Sequence, residues 1–406
     1  MDSGNFAWSI AATALVLFMT PGVAFFYGGL VKAKSVVSMM MMSFGAMGLI
    51  SVLWILYGFN MSLGGGTFAF SGNPFTENFA LAGYDSAGLV GATFGATFAI
   101  ITVALISGAI ADRAKFGSWM IFAGIWATFV YFPVAAWVWG DGWIFNFGDE
   151  TGLPAVIDYA GGTAVHINAG AAALALALVL GKRVGFAKGI NKPHNVPLTL
   201  LGASILWFGW FGFNAGAEGT FALLGPENTG AGLIVVNTLG ATAAAILGWA
   251  IVEKIKDGKA TSVGAASGAV AGLVAITPAC ANLDPIWALV LGVVAGVLCA
   301  LAVELKWKLG FDDSLDVVGI HMVGGLIGTL YLGFFATGTG LVFSGDAGQL
   351  LSQLVAALAV LVYSFLVAFV VGFVIEKTIG FRVKNEDEVA GVDTVVHGEE
   401  GYSLAE

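Results

Sequence analysis

Two copies of one phrase carry the fold prediction: Asp158-Tyr-Ala-Gly-Gly-Thr-Ala-Val-His166 and Asp313-Ser-Leu-Asp-Val-Val-Gly-Ile-His321. In each copy the acid stands eight positions ahead of a histidine, within a run of small and apolar residues. A helix rises about 1.5 Å per residue, so this spacing predicts roughly 12 Å between acid and histidine along a helix axis. If each acid marks a membrane surface, the histidines approach the middle of a hydrocarbon core about 30 Å thick.

The composition of the whole chain is that of a membrane protein. Of the 406 residues, 58% are apolar and only 10% are charged, which excludes a soluble globular domain. The 59 glycines suit helices that pack closely in lipid, where small residues let backbones approach. Cys280 and Cys299 form no disulfide or metal-ligand pattern, so neither a metal nor a cofactor is expected. The predicted fold class is an all-α polytopic membrane protein.

Eleven stretches without Lys, Arg, Asp or Glu are at least 19 residues long, which is enough for a transmembrane helix. They cover residues 3–31, 35–76, 86–111, 116–140, 159–181, 193–217, 228–252, 260–283, 285–303, 317–345 and 347–375. The second stretch is overlong, and the glycines that follow Asn60 predict a helix end near Phe59, with a surface loop after it. The prediction is therefore eleven transmembrane helices.

The positions of Lys and Arg orient these spans. All sixteen lie in the gaps after spans 1, 3, 5, 7, 9 and 11, and the other gaps contain none. For sixteen independent residues this distribution has a chance of about 1 in 30,000, so the positive charge marks the cytoplasmic side. The N-terminus is predicted to lie outside and the C-terminus in the cytoplasm, as an odd number of spans requires.

The two copies of the phrase enter the membrane from opposite sides. Asp158 opens span 5 from the outside, and Asp313 opens span 10 from the inside. This predicts two inverted five-helix repeats, about 1–190 and 191–340, followed by one additional C-terminal helix at 347–376.

The two histidines are the candidate functional residues of a transmembrane domain at 1–380. In inverted-repeat transport folds the substrate site lies near the midplane between the halves, where the repeat puts His166 and His321. A packing role is the alternative interpretation, but ionisable residues inside spans are costly and generally mark a pathway. Two neutral imidazoles side by side would hold each other's tautomer and still present polar edges to a small permeant.

Aromatic side chains gather in three spans. Phe94 and Phe98 form an i, i+4 pair on one helix face, and span 4 ends with Trp137 and Trp139. Span 6 carries Trp-Phe-Gly-Trp-Phe-Gly-Phe at 207–213. Aromatic residues near a membrane surface are normally interfacial anchors. The cluster also permits a second interpretation, a cage of π faces that attracts a small cation.

Four longer phrases resemble the ammonium transporter (Amt/Mep/Rh) family, in its Amt branch. They are Thr20-Pro-Gly-Val-Ala-Phe-Phe-Tyr-Gly-Gly, Asp158-x-x-Gly-Gly-x-x-x-His-Ile-Asn, Gly209-Trp-Phe-Gly-Phe-Asn-Ala-Gly and the copy from Asp313 to His321. The resemblance extends from residue 6 to about 402, essentially the whole chain, and these motifs are long and specific.

The resemblance implies an outer recruitment site for ammonium. Trp139 and Phe94 match the aromatic faces that bind the ion, and Asp158 matches the acid that supports this site from behind. The family often has serine where this chain has Ala217, and the serine hydroxyl accepts a hydrogen bond from ammonium. The chain therefore departs from the family pattern here, although Glu218 is adjacent and offers a carboxylate.

The resemblance also implies a gated pore. Phe98 and Phe213 match two stacked phenylalanines that close the pore below the recruitment site. The residues that match the wall of the pore are His166, His321, Trp210 and Phe26.

The resemblance implies partners as well. It predicts a homotrimer in the cell membrane, surrounded by lipid. It also predicts a cytoplasmic tail at 381–406 that couples subunits and contacts a PII-type (GlnK) regulatory protein. Composition alone leaves the acidic residues 384–406 either ordered or disordered. No nucleic-acid partner is expected.

The predicted function is transmembrane transport of ammonium or ammonia. NH4+ would bind at the aromatic site, lose a proton near the phenylalanine gate and cross as NH3 past the histidines, and co-transport of the proton is left open. One alternative is a related channel for a small neutral solute or gas. Another is a transporter that also senses ammonium. The chain carries no serine-hydrolase, zinc-protease or P-loop motif, so it is not expected to be an enzyme.

Overall fold

A computed structural model describes residues 3–64, 70–188, 192–218 and 230–402. Within these ranges every regular element is a helix, and the one extended pairing is an isolated bridge between Ala114 and Arg382. The main helical segments are α1 Ser3–Leu30, α2 Ala33–Ser62, α3 Ser86–Ile110, α4 Phe116–Trp139, α5 Gly162–Leu180, α6 Val196–Ala215, α7 Ala231–Asp257, α8 Ser262–Ile276, α9 Pro285–Leu309, α10 Val318–Phe335 and α11 Gly348–Thr378.

The prediction of an all-α polytopic membrane protein is confirmed. In the described part of the chain, ten of these helices are long and apolar enough to cross a membrane. The exception is α8, which has 15 residues and rises about 22 Å, less than a hydrocarbon core of about 30 Å. The total of eleven spans and the orientation of the termini stay predictions. Helix α2 ends at Ser62, three residues beyond the predicted end at Phe59.

Several helices begin at residues whose side chains satisfy the first backbone N–H groups. The carboxylate of Asp85 accepts from Gly88 N at 2.7 Å before α3, and Asn195 accepts from Leu198 N at 2.9 Å before α6. Thr261 does the same for α8, accepting from Gly264 N at 2.8 Å. Helix α9 starts on Pro285. Proline has no N–H, and this costs nothing here because an N–H at the first helical position has no acceptor within the helix. Local sequence therefore determines where these helices start.

The two halves of the chain repeat one another's packing. Helices α1 and α3 are in contact, as are α6 and α8, and the pairs α2–α4 and α7–α9 correspond in the same way. Helices α5 and α10 contact each other between the halves, and α11 packs along both. This arrangement agrees with two five-helix repeats and one added helix.

Helices α5 and α10 run antiparallel through their N-terminal halves. A Cβ on Gly162 would lie 2.8 Å from the Thr329 hydroxyl, and one on Gly170 would lie 2.5 Å from the Met322 backbone N. As one helix advances from 162 to 170, its contacts on the other move back from 329 to 322. The two copies of the sequence phrase therefore point in opposite directions, as the inverted repeat predicts.

The predicted 12 Å between acid and histidine along one helix is wrong. Asp158 precedes α5, which begins only at Gly162, and Asp313 precedes α10, which begins at Val318. The chain turns sharply in between, with φ +122° at Gly161 and φ +64° at Asp316. The histidines consequently lie in the first helical turns, about 6 Å and 4.5 Å of rise from the helix starts. Each acid caps a helix instead of lying within one.

Basic residues and acids gather at one end of the bundle. Arg183 pairs with Asp112 and with Asp312, both at 2.9 Å. Burial by itself would raise the pKa of Asp312, but hydrogen bonds and the charge of Arg183 outweigh it and lower that pKa. Arg113 is fully buried beside this group, and burial lowers the pKa of its guanidinium to about 10. The paired charges hold the ends of α3, α5 and α10 together.

The C-terminal tail, which the structure describes to residue 402, lies at this same end. Asp393 accepts from Val37 N at 3.0 Å and from Ser38 N at 2.7 Å, so it caps the start of the long stretch of α2. Glu388 accepts from the Arg382 guanidinium at 2.7 Å and from Val184 N at 2.6 Å. Within the described residues, the tail therefore packs against the bundle through hydrogen bonds, and an ion pair within the tail joins Arg382 to Glu388.

Glycines set the distance between α7 and α9, and they generate a stability prediction. A Cβ on Gly292 would lie 2.2 Å from the Ala241 carbonyl oxygen, whereas one on Gly48 in α2 would meet nothing within 4 Å. We expect Gly292→Ala to push α9 away from α7 and to lower the free energy of unfolding by about 1–3 kcal/mol. Thermal unfolding in detergent checks this, with Gly48→Ala as the matched control. Equal midpoints for the two variants would contradict the packing argument.

Candidate functional site

A narrow cavity runs through the middle of the bundle, between α1, α3, α5, α6, α8 and α10. Its volume is about 10 Å³, space for one water-sized molecule. The lining residues described are Val23, Phe26, Tyr27, Ile101, Leu105, Val165, His166, Leu206, Trp210, Phe213, Val270 and His321. Of the polar groups among them, the Tyr27 hydroxyl is bonded to the Leu105 carbonyl and the Trp210 indole to Thr277. The imidazoles therefore supply the polar surface of the cavity.

His166 and His321 lie side by side in this cavity. Their Nδ1 atoms are 3.3 Å apart, and the two rings are tilted by 23°. Both are buried, and the sequence prediction that the two rings meet agrees with this geometry. Since two neutral imidazoles can share only one hydrogen between Nδ1 atoms, the rings must be complementary tautomers. One Nε2 then carries a hydrogen and the other accepts one.

Trp210 orients the histidine pair from one side. Its ring stacks on His166 with centroids 5.6 Å apart, and its indole N–H donates to the Thr277 hydroxyl at 2.8 Å. The Nε2 atom of His166 is buried and has no hydrogen-bond partner in the part of the chain that the structure describes. A small molecule in the cavity would therefore find a polar atom at His166 whose hydrogen-bonding capacity is unused.

Two phenylalanine rings close the cavity at one end. Phe98 and Phe213 stack with centroids 4.1 Å apart and an interplanar angle of 21°, and both are buried. Phe94 lies one helical turn from Phe98, with ring centroids 4.9 Å apart. A charged ion that passed this apolar contact would lose its hydration.

A much larger cavity of about 620 Å³ lies beyond these rings. Phe98 and Trp139 line it with their rings at 87° to each other, and Asp85 and Asp141 border it as exposed acids. The Trp139 indole N–H donates to the Asp158 carbonyl at 2.8 Å, which sets the direction of this ring. The combination of π faces and carboxylates suits a small cation.

Ala217 is fully buried directly after Gly216, where a Cβ would lie 2.9 Å from the Phe94 ring. Its methyl group offers no hydrogen-bond acceptor. The neighbouring Glu218 is already engaged, because its carboxylate accepts from the Tyr159 hydroxyl and from Gly230 N. Burial and this carboxylate raise the pKa of Tyr159, so Tyr159 remains a neutral donor. Glu218 thus connects the end of α6 with Gly230 at the start of α7 and with Tyr159 ahead of α5.

Asp158 binds the start of α5 with both oxygens. Its Oδ1 accepts from Gly161 N and Gly162 N, and its Oδ2 accepts from Thr163 N, Thr163 Oγ1 and Ala164 N, all between 2.6 and 3.0 Å. The carboxylate therefore holds both the first turn that carries His166 and the carbonyl that orients Trp139. This placement suits a supporting acid that does not itself contact an ion.

Sequence reasoning missed some residues of the cavity. Tyr27 and Thr277 received no role, although Tyr27 directly follows Phe26 in one of the quoted phrases. That adjacency was an available signal for Tyr27. No sequence signal indicated that Thr277, at the end of α8, would lie against the Trp210 indole. Phe26 itself does line the cavity, together with Trp210 and both histidines.

Comparison with known proteins gives a consistent result. A model of the Ammonium Transporter Family matches residues 7–402. A protein of Mycobacterium tuberculosis named ammonium transporter is 50% identical, over 100% of this chain and 91% of its own length. Ammonium transporter Amt1 of Archaeoglobus fulgidus is 41% identical, over 99% and 100%. The crystal structure of Candida albicans Mep2 superposes with TM-score 0.84 at 31% identity, covering 95% of this chain and 88% of that one.

The five hydrogen bonds of Asp158 predict a large effect of its removal. We expect Asp158→Ala to leave several buried donors unsatisfied and to lower the free energy of unfolding by about 2–4 kcal/mol. Thermal unfolding in detergent is the measurement, and Glu77→Ala, which removes an exposed acid, is the control. If both variants unfold at the wild-type temperature, the capping role assigned to Asp158 is wrong.

Proposed function

Because this chain belongs to the ammonium transporter family, we propose a route by which it carries ammonium or ammonia across the membrane. The chain is a multi-pass membrane protein, and its relatives are named as transporters. Family membership favours ammonium over the neutral-solute alternative, and transport over sensing. The observation that carries the route is the pair of imidazoles, whose Nδ1 atoms are 3.3 Å apart. The rest of the cavity is lined by apolar groups and by polar groups that already form hydrogen bonds.

NH4+ is first concentrated and bound in the large outer cavity. Asp85 and Asp141 raise the local concentration of cations, and the π faces of Trp139 and Phe98, which line this cavity, attract the ion, with Phe94 buried one helical turn away. K+ has nearly the same size, so size alone cannot separate the two ions. Selectivity requires a step that only an ion with a removable proton can complete.

Deprotonation at the phenylalanine gate is that step. Transfer of a bare charge into an apolar cavity costs several kcal/mol or more, whereas neutral NH3 avoids that penalty. The stacked rings of Phe98 and Phe213 exclude the hydrated ion. K+ has no proton to give up, so it stops at this point, while NH3 enters the narrow cavity.

The histidine pair then binds NH3 by hydrogen bonds. One Nε2 of the pair is an acceptor and the other is a donor, and ammonia complements both. A proton that enters the pair at one Nε2 can leave at the other, if the hydrogen between the Nδ1 atoms shifts at the same time. This exchange inverts both tautomers and provides a separate path for the proton.

The assembly and regulation of the protein follow the family. We infer a homotrimer with the N-terminus outside and a cytoplasmic tail at 381–406 beyond a transmembrane domain at 1–380. Arg113 and the ion pairs of Arg183 lie at the same end of the bundle as the tail. A PII-type regulator would bind at this surface and act through the tail.

The histidine route predicts the result of removing both rings. In His166→Ala/His321→Ala, NH3 loses both hydrogen-bonding partners in the cavity, and the proton loses its path. Because an unsatisfied polar group costs about 1–3 kcal/mol, we expect ammonium-evoked current in proteoliposomes to fall at least about tenfold.

His194→Ala is the matched control, since His194 contacts Val31 and Tyr402 at the surface and lies outside the cavity. Its current should equal that of the wild type. Unchanged current and unchanged selectivity against K+ in the double variant would falsify the route.

The missing hydroxyl at Ala217 gives a second prediction. Ala217→Ser restores an acceptor near the Phe94 ring, and one added hydrogen bond to a charged group stabilises bound ammonium by about 1 kcal/mol or more. We expect the ammonium concentration for half-maximal current to fall about fivefold, with little change in maximal current. Ala215→Ser, two residues earlier on the same segment, is the control. An unchanged half-maximal concentration would mean that position 217 does not face the bound ion.

A further inference from the structure

The two acids of the inverted repeat use their oxygens differently. Asp158 accepts five hydrogen bonds, so both its oxygens are occupied. Asp313 accepts from Val318 N at 2.7 Å with Oδ2, and its Oδ1 has no hydrogen-bond partner among the described residues. The residue is only 1% exposed. Capping α10 therefore requires one oxygen of Asp313, and the second oxygen is left for another task.

Asp313 lies behind the lining of the narrow cavity, just before the helix that carries His321. Its cap holds the first turn of α10, and His321 follows Val318 by three residues, about 4.5 Å of rise. On the opposite wall, a Cβ on Gly108 would lie 2.6 Å from Tyr27 Cζ and 2.8 Å from Val317 Cγ2. The tip of the Tyr27 ring is thus close to the turn that Asp313 caps.

The charged groups around Asp313 are mostly engaged with other acceptors. Lys306 donates to the Asp313 backbone carbonyl at 3.0 Å and to Asp316 Oδ1 at 2.5 Å. Arg113 donates to Ser314 Oγ at 2.6 Å and to the Asp312 carbonyl at 2.7 Å. Arg183 pairs with the Asp312 side chain, and Tyr27 donates to Leu105. Because Lys306, Arg113 and Arg183 donate to other acceptors, Asp313 Oδ1 forms no ion pair among the described residues.

Burial is the strongest influence on this carboxyl group. It raises the pKa of Asp313 to about 6 and outweighs the opposing charge of Lys306, while Asp316 adds a smaller increase and the backbone N–H groups of Val318 and Val317 lower the pKa slightly. A group whose pKa lies near the pH of its surroundings exists in both protonation states and exchanges protons readily. Geometry and burial therefore both distinguish Asp313 from an ordinary helix cap.

We propose that Asp313 is the group that holds the transported proton at the inner end of the pore. The proposal rests on the transport route described above. Near the gate an N–H bond of NH4+ breaks, and the proton passes through the histidine pair. An O–H bond then forms at Asp313 Oδ1. That bond breaks when NH3 leaves the cavity, and a new N–H bond regenerates NH4+ inside. One ammonium ion enters, one leaves, and Asp313 returns to its ionised state.

Asp313→Asn tests this with little change in shape. Its amide oxygen still accepts from Val318 N, so the cap is retained, but the side chain no longer takes up a proton. We expect ammonium-evoked current in proteoliposomes to fall at least about tenfold. In the wild type, inward current should decline as the inner pH drops below about 6, because Asp313 is then already protonated. The residual current of the variant should lack this decline.

Asp316→Asn is the matched control, since it removes one negative charge three residues away. Asp316 has a positive φ, and asparagine adopts that conformation as readily as aspartate does. The control variant should keep the current, and the decline should begin at a lower inner pH, because the charge of Asp316 raises the pKa of Asp313. Asp313→Glu serves if the asparagine variant does not fold. Its titratable group sits in a changed environment, so it should conduct with a displaced pH midpoint.

Two results would overturn the proposal. One is wild-type current and wild-type pH dependence in Asp313→Asn, or an unmoved midpoint in Asp313→Glu. The other is ammonium uptake by the wild type without any current, which would mean that no proton needs a holding group. The latter leaves ammonium transport itself intact, and only a wild-type protein that takes up no ammonium would remove the proposed function.

Discussion

A single hydrogen between two Nδ1 atoms 3.3 Å apart is the interaction on which this structure depends. It forces His166 and His321 into complementary tautomers, so the pair presents one donor and one acceptor to the cavity. Two helices from different halves of the chain must meet to create it. The antiparallel contact of α5 with α10, the glycines that permit it and the two capping acids all hold that meeting in place.

The surroundings of the pair make its polarity useful. The cavity holds about one water-sized molecule, and apolar side chains line most of it. In the proposed route, the stacked rings of Phe98 and Phe213 exclude charge, and π faces and carboxylates attract cations just outside them. That route separates two functions in space: a cation is attracted in the large cavity, and a neutral molecule is bound in the narrow one.

The inverted repeat is symmetric in backbone but not in chemistry. Asp158 and Asp313 occupy equivalent positions before α5 and α10, and both cap their helix. The backbone carbonyl of Asp158 also orients Trp139, and both its carboxylate oxygens accept hydrogen bonds from the start of α5. Asp313 has one carboxylate oxygen, Oδ1, without a hydrogen-bond partner among the described residues, and Lys306 donates to its backbone carbonyl. Two halves with the same fold can thus serve an outer face that gathers ions and an inner face that releases them.

The sequence by itself determined the class of fold, the repeat and the identity of the two histidines, because apolar spans, sorted charges and rare ionisable residues in lipid are strong local signals. It did not determine where the helices begin relative to Asp158 and Asp313. A run of small residues is compatible both with a helix and with a turn of positive φ, so the sequence pattern does not distinguish the two. The short length of α8 was equally invisible. Only the tertiary structure decided that Glu218 is bonded to Tyr159, that Thr277 holds Trp210, and that one oxygen of Asp313 is left over. Those facts depend on contacts between residues far apart in the chain, and no local pattern records how a buried polar atom is satisfied.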